Sequence, residues 1–228
     1  MDKFPTRPST DRSDAETSAT QKTYFEIRRM ILEGDLRPGQ KLKINALKLI
    51  IGSGASSISE ALSVLTSDQL VERIVQWGFR AAPTSQANFD EILRLRCALE
   101  DMALRDSIAA ATPEWEDRVV LAHHQMVKAK REGAAETDNL HKAFHMVIIE
   151  MCGSPILLKF CSQLCDLNVW YRNLAGQARS YRNRDIDKEH VDIFHMIVQH
   201  DAEAATAHLL NHYRQTGAFD RAVRLQTH

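Results

Sequence analysis

Glycine and proline are scarce in this chain of 228 residues, which contains nine of the first and six of the second. No apolar run approaches the roughly 20 residues that a membrane-spanning helix needs, and the first 20 residues lack the apolar core of a signal peptide. Because 44% of the residues are hydrophobic and 26% are charged, the chain can bury a substantial core. We therefore expect a helix-rich cytoplasmic protein of one or two domains without a membrane partner.

Cysteine is also rare, and the four cysteines lie in apolar helical patterns rather than in a loop-rich disulfide spacing: Cys97, Cys152, Cys161 and Cys165. We expect them to be reduced and mostly buried. Cys161 and Cys165 fall one helical turn apart, but two sulfur atoms alone make a poor metal site.

Neither sign of charge predominates in the whole chain, whose formal net charge is -1, but the charges are unevenly distributed along it. Residues 21–84 contain nine Lys/Arg against six Asp/Glu, whereas residues 85–228 contain 17 against 20. A mildly basic front part on an acidic remainder is a weak indication that only the front part contacts phosphate.

The front part carries the pattern of three helices followed by a hairpin. Residues 1–20 are rich in Ser, Thr and Asp and are expected to be a disordered tail. Helical patterns follow around Ile27, in "INALKLIIG" and in "SGASSISEALSVLTSDQLV", where Ser57 and Glu60 have capping-box spacing. Two short β-rich runs then flank Gln76-Trp77-Gly78. This order is typical of a winged helix-turn-helix, which we assign to residues 21–84.

The remainder is predicted to be entirely helical. Six helical segments follow Phe89, separated at Thr112-Pro113, Gly133, Gly153-Ser154-Pro155 and "SYRNRDIDK". The natural packing for such segments is an antiparallel bundle, so we expect a mainly α protein whose second domain spans residues 87–222.

The stretch "NLHKAFHMVI" places His141 and His145 four residues apart on one face of a predicted helix. His190 and His212 lie on apolar faces of two later helices. A single histidine on an apolar face is usually a satisfied core residue, and two at one-turn spacing indicate a metal site only weakly. Both interpretations remain open on the spacing alone.

Several stretches resemble the GntR family of bacterial transcription factors, in particular its FadR-like branch with an all-helical FCD effector domain. They include "ILEGDLRPGQKL", "SEALSVLTSDQLVER", "LRLRCALEDMAL", "FHMVIIEMCGSPILL" and "EHVDIFHMIVQHDAEAATAHLLNH", in order and spacing over residues 24–216. The resemblance implies a homodimeric regulator that binds double-stranded operator DNA.

The resemblance also implies a metal site built from an Asp-x-x-x-His pair and one histidine from each of two later helices. His145, His190 and His212 fall on the three histidine positions, and His141 replaces the aspartate. Four neutral imidazoles leave the charge of a divalent ion uncompensated and favour a transition metal, zinc or nickel first. A small carboxylate effector could supply the missing oxygen ligands. The alternative is that His141 disrupts the site and the histidines are buried hydrogen-bonding groups.

Three further residues are candidates for effector binding. Arg96 resembles the family arginine that faces the effector cavity, where it would clamp a carboxylate; the alternative is a salt bridge to Glu100. Tyr171 and Arg172 could line the same cavity or lie on a surface turn.

The recognition helix departs from the family pattern, because Ala55 and Ser59 stand where arginines are usual. Arginine reads guanine and grips phosphate, so its loss should weaken or redirect DNA binding. The DNA contacts are then expected from another set of residues: Lys43, Asn45, Ser56, Ser57, Ser59, Arg73 and Gly78.

We therefore expect a DNA-binding regulator, not an enzyme, that responds to a metal ion and a small organic acid. One alternative is a metal-dependent enzyme on the same scaffold. Against it, no carboxylate has the general-base spacing of an H-E-x-x-H helix, and Glu189 is expected to point to a different face of its helix from His190. Another is a ligand-binding protein whose winged domain has lost DNA binding.

Overall fold

The computed structural model describes residues 19–133, 137–175 and 185–224. Within them the first part of the chain contains α1 (Ala19–Leu32), β1 (Lys41–Leu42), α2 (Ile44–Ile51), α3 (Ala55–Ser67), β2 (Val71–Ile74) and β3 (Gly78–Ala81). The second part contains α4 (Gln86–Ala109), α5 (Pro113–Glu132), α6 (Thr137–Val147), α7 (Pro155–Ala175), α8 (Ile186–Val198) and α9 (Ala202–Arg224). The expected disordered tail lies outside the described residues, except for Ala19 and Thr20, which begin α1.

The first part is a winged helix-turn-helix. Helix α2 ends at Gly52, whose φ of 76° is a left-handed conformation that glycine adopts without steric cost, and α3 then leaves at 108° to α2. Helix α1 packs against α3. The core between the helices is formed by aliphatic side chains that are at most 2% exposed: Ile27, Ile31, Leu47, Ile58, Leu62 and Leu65.

The wing is a three-stranded antiparallel sheet in the order β1-β3-β2. Val71 lies opposite Ala81 and Ile74 opposite Gly78, so the hairpin turn consists of Val75, Gln76 and Trp77. The hairpin expected from the sequence is present, and β1 adds a strand that the sequence analysis did not predict.

The second part is a helical bundle in which α4 packs against α7 and α9, α8 packs against α9, and α5 packs against α6. The side chains of Ser85 and Thr112 cap α4 and α5, accepting hydrogen bonds from the backbone nitrogens of Asn88 and Trp115. The expected mainly α class, a winged helix-turn-helix followed by an all-α bundle, is confirmed. None of the described helices is, taken singly, long and apolar enough to cross a membrane; the bent pair α2 and α3 meets that test on length and composition only.

Helix α7 joins the bundle to the first part of the chain. Arg28 of α1 forms a salt bridge with Asp166 of α7, and Asn173 Nδ2 donates to the backbone oxygen of Leu32 at 2.9 Å. The hydroxyl of Tyr171 accepts a hydrogen bond from the backbone nitrogen of Ser85, just before α4. A shift of α7 in the bundle would therefore act directly on the end of α1.

Candidate metal centre, effector cavity and nucleic-acid interface

Three helices of the bundle bring four histidines together. Helix α6 supplies His141 and His145 from consecutive turns, α8 supplies His190, and α9 supplies His212. One ligand nitrogen from each ring lies within 4.8 Å of the others. His145, His190 and His212 are buried, and His141 is partly exposed. The convergence that the family resemblance implied is thus present in the fold.

The spacing of the nitrogens is close to that of a metal site. His141 Nε2 lies 3.1 Å from His190 Nε2 and 3.3 Å from His145 Nε2. A tetrahedral ion with bonds of about 2.1 Å holds its ligand atoms about 3.4 Å apart. Small movements of the rings would therefore accommodate an ion.

The interior also keeps these rings uncharged. Burial lowers the pKa of His141 and His145 well below the usual value, with Arg172 as a further cause for His141 and the neighbouring rings for His145. Burial and the nearby His212 lower the pKa of His190 to about 2. A metal ligand must offer a lone pair, so neutral imidazoles are the form that the site requires.

Three of the four rings already have their outer nitrogen occupied in the way that metal-bound histidines do. His212 Nδ1 lies 2.8 Å from the carboxylate of Glu189, and His190 forms a hydrogen bond with the backbone of Ile186. His145 Nδ1 lies 2.9 Å from the hydroxyl of Tyr213, which donates its own proton to Glu100 and so accepts from the ring. Such partners fix the tautomer, with the proton of the ring on its outer nitrogen.

His141 is the exception. Its Nδ1 lies 3.3 Å from Arg172 Nη1, and a guanidinium can only donate hydrogen bonds. The neutral His141 ring therefore carries its proton on Nε2, the nitrogen that faces the other histidines. To bind an ion there, the ring must move this proton to Nδ1, and Arg172 must then withdraw.

The donor set fits a borderline transition metal, and the charge problem is smaller than expected. Imidazole nitrogens suit zinc, nickel, copper or iron rather than magnesium or calcium. Two carboxylates stand behind the rings: Glu189 contacts His212 directly, and Glu100 is connected to His145 through Tyr213. Glu189 reaches the outer nitrogen of a ring on another helix, a contact that the sequence analysis missed.

A cavity of about 280 Å³ opens onto the histidine cluster. It is lined by His141, His190 and His212 together with Arg96, Arg172 and Tyr213, among others. Asp138 and Asp187 also line it and pair with Arg172 and Lys130, so the cavity presents paired cations rather than an uncompensated basic wall. A small anion would compete with these carboxylates for the cationic groups.

Arg96 is 2% exposed, forms the salt bridge to Glu100 that was one of the two alternatives, and also lines the cavity. Its Nε donates to Glu100 at 2.6 Å and its Nη1 to Asn168 at 2.8 Å, while Nη2 is buried without a hydrogen-bond partner. The Glu100 charge raises the pKa of Arg96 well above its usual value even though burial opposes the charge. Nη2 is therefore an unpaired buried donor on a residue that lines the cavity, which is unusual because buried polar groups are nearly always paired.

Arg172 and Tyr171 point to different parts of the structure, although they are adjacent in sequence. Arg172 lines the cavity, donating to Asp138 at 2.6 Å and facing His141. Tyr171 is fully buried, packs against Phe89 with ring centroids 5.2 Å apart, and is not among the residues that line the cavity. The structure thus places Tyr171 at the junction with Ser85 rather than beside an effector.

The expected DNA contacts lie on the accessible side of the winged helix-turn-helix. Lys43 and Asn45 are exposed around the start of α2, and Ser56 is exposed in the first turn of α3. Ser57 and Ser59 are half-buried. Arg73 and Gly78 are exposed on the hairpin, where Gly78 has a φ of 87°.

Two functional neighbours went unnoticed in the sequence. Tyr213 bridges His145 and Glu100, and Asn168 holds Arg96. Tyr213 adjoins His212 in sequence, which was an available signal, whereas Asn168 lies on α7 and only the tertiary packing brings it to Arg96.

Comparison with known protein families matches both parts of the chain. Residues 19–80 match the model described as bacterial regulatory proteins, gntR family, and residues 91–215 match the FCD domain. The two matches follow the order of the winged helix-turn-helix and the helical bundle.

Similar proteins carry names of the same kind. The HTH-type transcriptional regulator BphR of Paraburkholderia xenovorans is 30% identical over 202 residues, covering 86% of this chain and 82% of that protein. The HTH-type transcriptional repressor GlaR of Escherichia coli is 32% identical over 154 residues, covering 65% and 70%. Among solved structures, McbR/YncC of E. coli superposes with a TM-score of 0.78 at 21% identity, covering 92% of this chain and 99% of that one, and so supports the fold.

Proposed function

Since the chain belongs to the GntR family of bacterial regulatory proteins and carries an FCD domain, it is a bacterial transcriptional regulator, and we propose that a metal ion and a small carboxylate together control its binding to operator DNA. One observation carries the proposal: four neutral imidazoles from three helices converge beside a cavity that two arginines also line. The proposed working units are the winged helix-turn-helix at residues 21–84 and the effector and dimerisation domain at residues 87–222.

His141, His145, His190 and His212 would hold the ion through their inner nitrogens. Their donor type favours zinc or nickel. The ion would supply a positive centre at the end of the cavity, and the hydrogen bonds from Glu189 and Tyr213 would orient His212 and His145 toward it.

The effector is a small carboxylate held between the ion and the two arginines. Arg96 offers its unpaired Nη2, already fixed by Glu100 and Asn168, so that little side-chain entropy is lost on binding. Arg172 would rotate from His141 toward the carboxylate once an ion occupies the inner nitrogens. A cavity of about 280 Å³ suits an organic acid of a few carbon atoms rather than a large ligand.

The path from the cavity to the DNA-binding part is short. Asp138 accepts from Arg172 at 2.6 Å and from Asn173 Nδ2 at 3.1 Å, and the same Asn173 amide donates to the Leu32 oxygen at the end of α1. Movement of Arg172 away from Asp138 therefore changes the hydrogen bonds of Asp138, and through it those of Asn173, whose amide binds the end of α1. A ligand that prefers one of the two arrangements shifts the placement of the DNA-binding part.

We further propose a homodimer that recognises two half-sites, because helix-turn-helix dimers match the spacing of one helical turn of DNA. Phosphates would be contacted by Lys43 and Arg73. The bases and the backbone would be approached by the remaining residues of the set: Asn45, Ser56, Ser57, Ser59 and Gly78.

The enzyme alternative is less well supported by the geometry. A water-activating site needs a carboxylate positioned as a general base beside the ion. Glu189 is engaged with the outer nitrogen of His212, and Glu100 with Arg96 and Tyr213, so both face away from the position of the ion. We therefore propose a regulatory rather than a catalytic role for the site.

Elemental analysis of the purified full chain tests the metal site. We expect near-stoichiometric zinc or nickel in the wild type, loss of the metal in His145→Ala, and retention in His208→Ala, an exposed histidine one turn before His212 on α9. Binding to duplexes selected from a random library, measured with and without a panel of small carboxylates, tests the regulation. Retention of metal by His145→Ala, or DNA binding that no carboxylate alters, would contradict the respective part of the proposal.

A further inference from the structure

The recognition helix is unusually poor in charge for a DNA-reading element. Helix α3 contains neither lysine nor arginine, and its single charged residue is Glu60. Its first turn presents alanine and serine. Arginine and lysine provide most phosphate contacts and the commonest base contact, so binding energy must come from another part of the domain.

The hairpin turn offers such a part. Val75 is 83% exposed and Trp77 is 66% exposed, although both are large apolar side chains. The turn is tight, since the Trp77 nitrogen donates to the Ile74 oxygen at 3.0 Å, and Gln76 and Gly78 have positive φ values of 64° and 87°. A rigid turn therefore holds two apolar side chains in water at the tip of the wing.

Positive charge lies beside this apolar tip. The Lys41 ammonium lies over the Trp77 ring, 5.0 Å from its centroid. A groove of about 470 Å³ runs beside the ring and is lined by Lys41, Lys43 and Asn45. Arg73 on β2 is exposed, with its guanidinium 6.0 Å from the centroid of the Phe79 ring. An apolar wedge flanked by cations is complementary to an opened base step between two phosphate strands.

We propose that Trp77, supported by Val75, is inserted between base pairs in the minor groove of the operator, next to the major groove that α3 enters, and bends the duplex there. Apolar side chains that insert in this way partly unstack a base step and kink the DNA. The inference rests on the proposed DNA binding. It adds the residue that replaces the missing arginines and predicts a preference for flexible pyrimidine–purine steps at that position.

The chain contains its own probe for this contact. It has three tryptophans, and Trp115 and Trp170 are 0% and 1% exposed within the bundle. Acrylamide in solution therefore quenches mainly the fluorescence of Trp77. We would use a duplex of about 30 base pairs, long enough for two half-sites one helical turn apart, selected from a random library by the wild-type full chain. On addition of this duplex, we expect the fluorescence to be quenched by the bases and protected from acrylamide.

Substitutions then separate a wedge from a simple backbone contact. Trp77→Ala should weaken binding to the selected duplex by about tenfold to 100-fold, which is the range for one lost aromatic–base stack. Trp77→Phe should retain most of the affinity. Trp77→Lys should not restore the affinity at moderate salt, although it adds a phosphate-binding charge. Energy transfer between dyes at the duplex ends should report a bend with wild type and Trp77→Phe, and a straighter duplex with Trp77→Ala.

A matched control is Phe25→Ala on α1, another exposed aromatic side chain, 51% exposed, which should leave DNA binding unchanged. If the protein selects a duplex but Trp77 stays accessible to acrylamide, or if Trp77→Lys binds as well as Trp77→Phe, the wedge is wrong while DNA binding stands. If no duplex is selected, both the proposed DNA binding and the wedge fail.

Discussion

Replacement of Arg172 by glutamine should strengthen metal binding, although it removes a residue from the wall of the site. Arg172 Nη1 lies 3.3 Å from His141 Nδ1, and the guanidinium forces that ring to keep its proton on the nitrogen that an ion needs. The side-chain carbonyl of glutamine can instead accept a hydrogen bond from Nδ1. Glutamine therefore favours the tautomer that offers Nε2 to the ion.

The magnitude follows from the distances. With 3.3 Å from Arg172 to the ring and roughly 4 Å from Nδ1 through Nε2 to an ion, the guanidinium stands about 7 Å from the ion. A single and a double positive charge at that distance repel by about 5 kcal/mol at an effective dielectric constant of about 20. Asp138 neutralises much of this charge because it pairs with Arg172 at 2.6 Å. A residual effect of about 1.4 kcal/mol would be a tenfold gain in affinity.

The assay is a competition for zinc between the protein and a chelating dye, in buffer without carboxylates. We expect at least about a tenfold higher zinc affinity for Arg172→Gln than for the wild type. Lys142→Gln serves as the control, since Lys142 is also a cation near the cluster but pairs with Asp166 at 2.6 Å. An unchanged or lower zinc affinity for Arg172→Gln would refute the assigned tautomer of His141 and the withdrawal of Arg172 on metal binding.

Three further predictions concern the surroundings of the site. Glu189→Gln should lower zinc affinity about tenfold to 100-fold because it weakens the hydrogen bond that orients His212, whereas Asp192→Asn on the same helix should not, as dye competition will show. Chelator-treated protein should lose stability on acidification, because the pKa of His190 is lowered to about 2 in the folded chain and below pH 6.5 only the unfolded chain takes up this proton. The loss of unfolding free energy attributable to His190 is about 2 kcal/mol at pH 5. Urea titrations should find a smaller loss in His190→Phe. Asn173→Ala should bind zinc and the selected duplex but respond less to carboxylates, because the link between Asp138 and the Leu32 oxygen is gone; an undiminished response in DNA-binding titrations would place the coupling elsewhere.

The order of helices could be predicted from periodic and local signals, whereas the histidine cluster needed the family resemblance as well. His141 and His145 share a face by their spacing alone, and the family resemblance linked them to His190 and His212. The end of α6 could not be predicted in this way. The sequence continues an apolar pattern to Met151, but α6 ends at Val147. The backbone oxygen of Val147 accepts a hydrogen bond from Trp115 Nε1 at 2.8 Å, and a series of tight turns follows this residue. A tertiary contact thus overrides the local helical pattern.

The position of Tyr171 was equally beyond the sequence. Tyr171 and Arg172 are neighbours, and the sequence left open whether both line one cavity or both lie on a surface turn, yet successive residues of a helix point about 100° apart. Only one of them can face the cavity when the other is packed against Phe89. The choice depends on the rotation of α7 in the bundle, which is set by contacts with α4 and α1 rather than by α7 itself.

The charges around the cluster explain why an anion and a metal should depend on each other here. Where an aspartate would bring a negative charge to the ion, His141 brings none. The carboxylate of Glu189 stands behind His212, and that of Glu100 stands farther out, behind Tyr213 and His145. The ion therefore keeps more of its positive charge, and Arg96 and Arg172 add to it, so an ion without an anion is less stable than in an aspartate site. A bound carboxylate relieves this repulsion from both sides. Because linkage is reciprocal, a carboxylate that raises zinc affinity by some factor must itself bind more tightly by the same factor when zinc is present. Replacement of His141 by aspartate should reduce that factor, because the aspartate would supply the negative charge that otherwise comes only from the bound carboxylate.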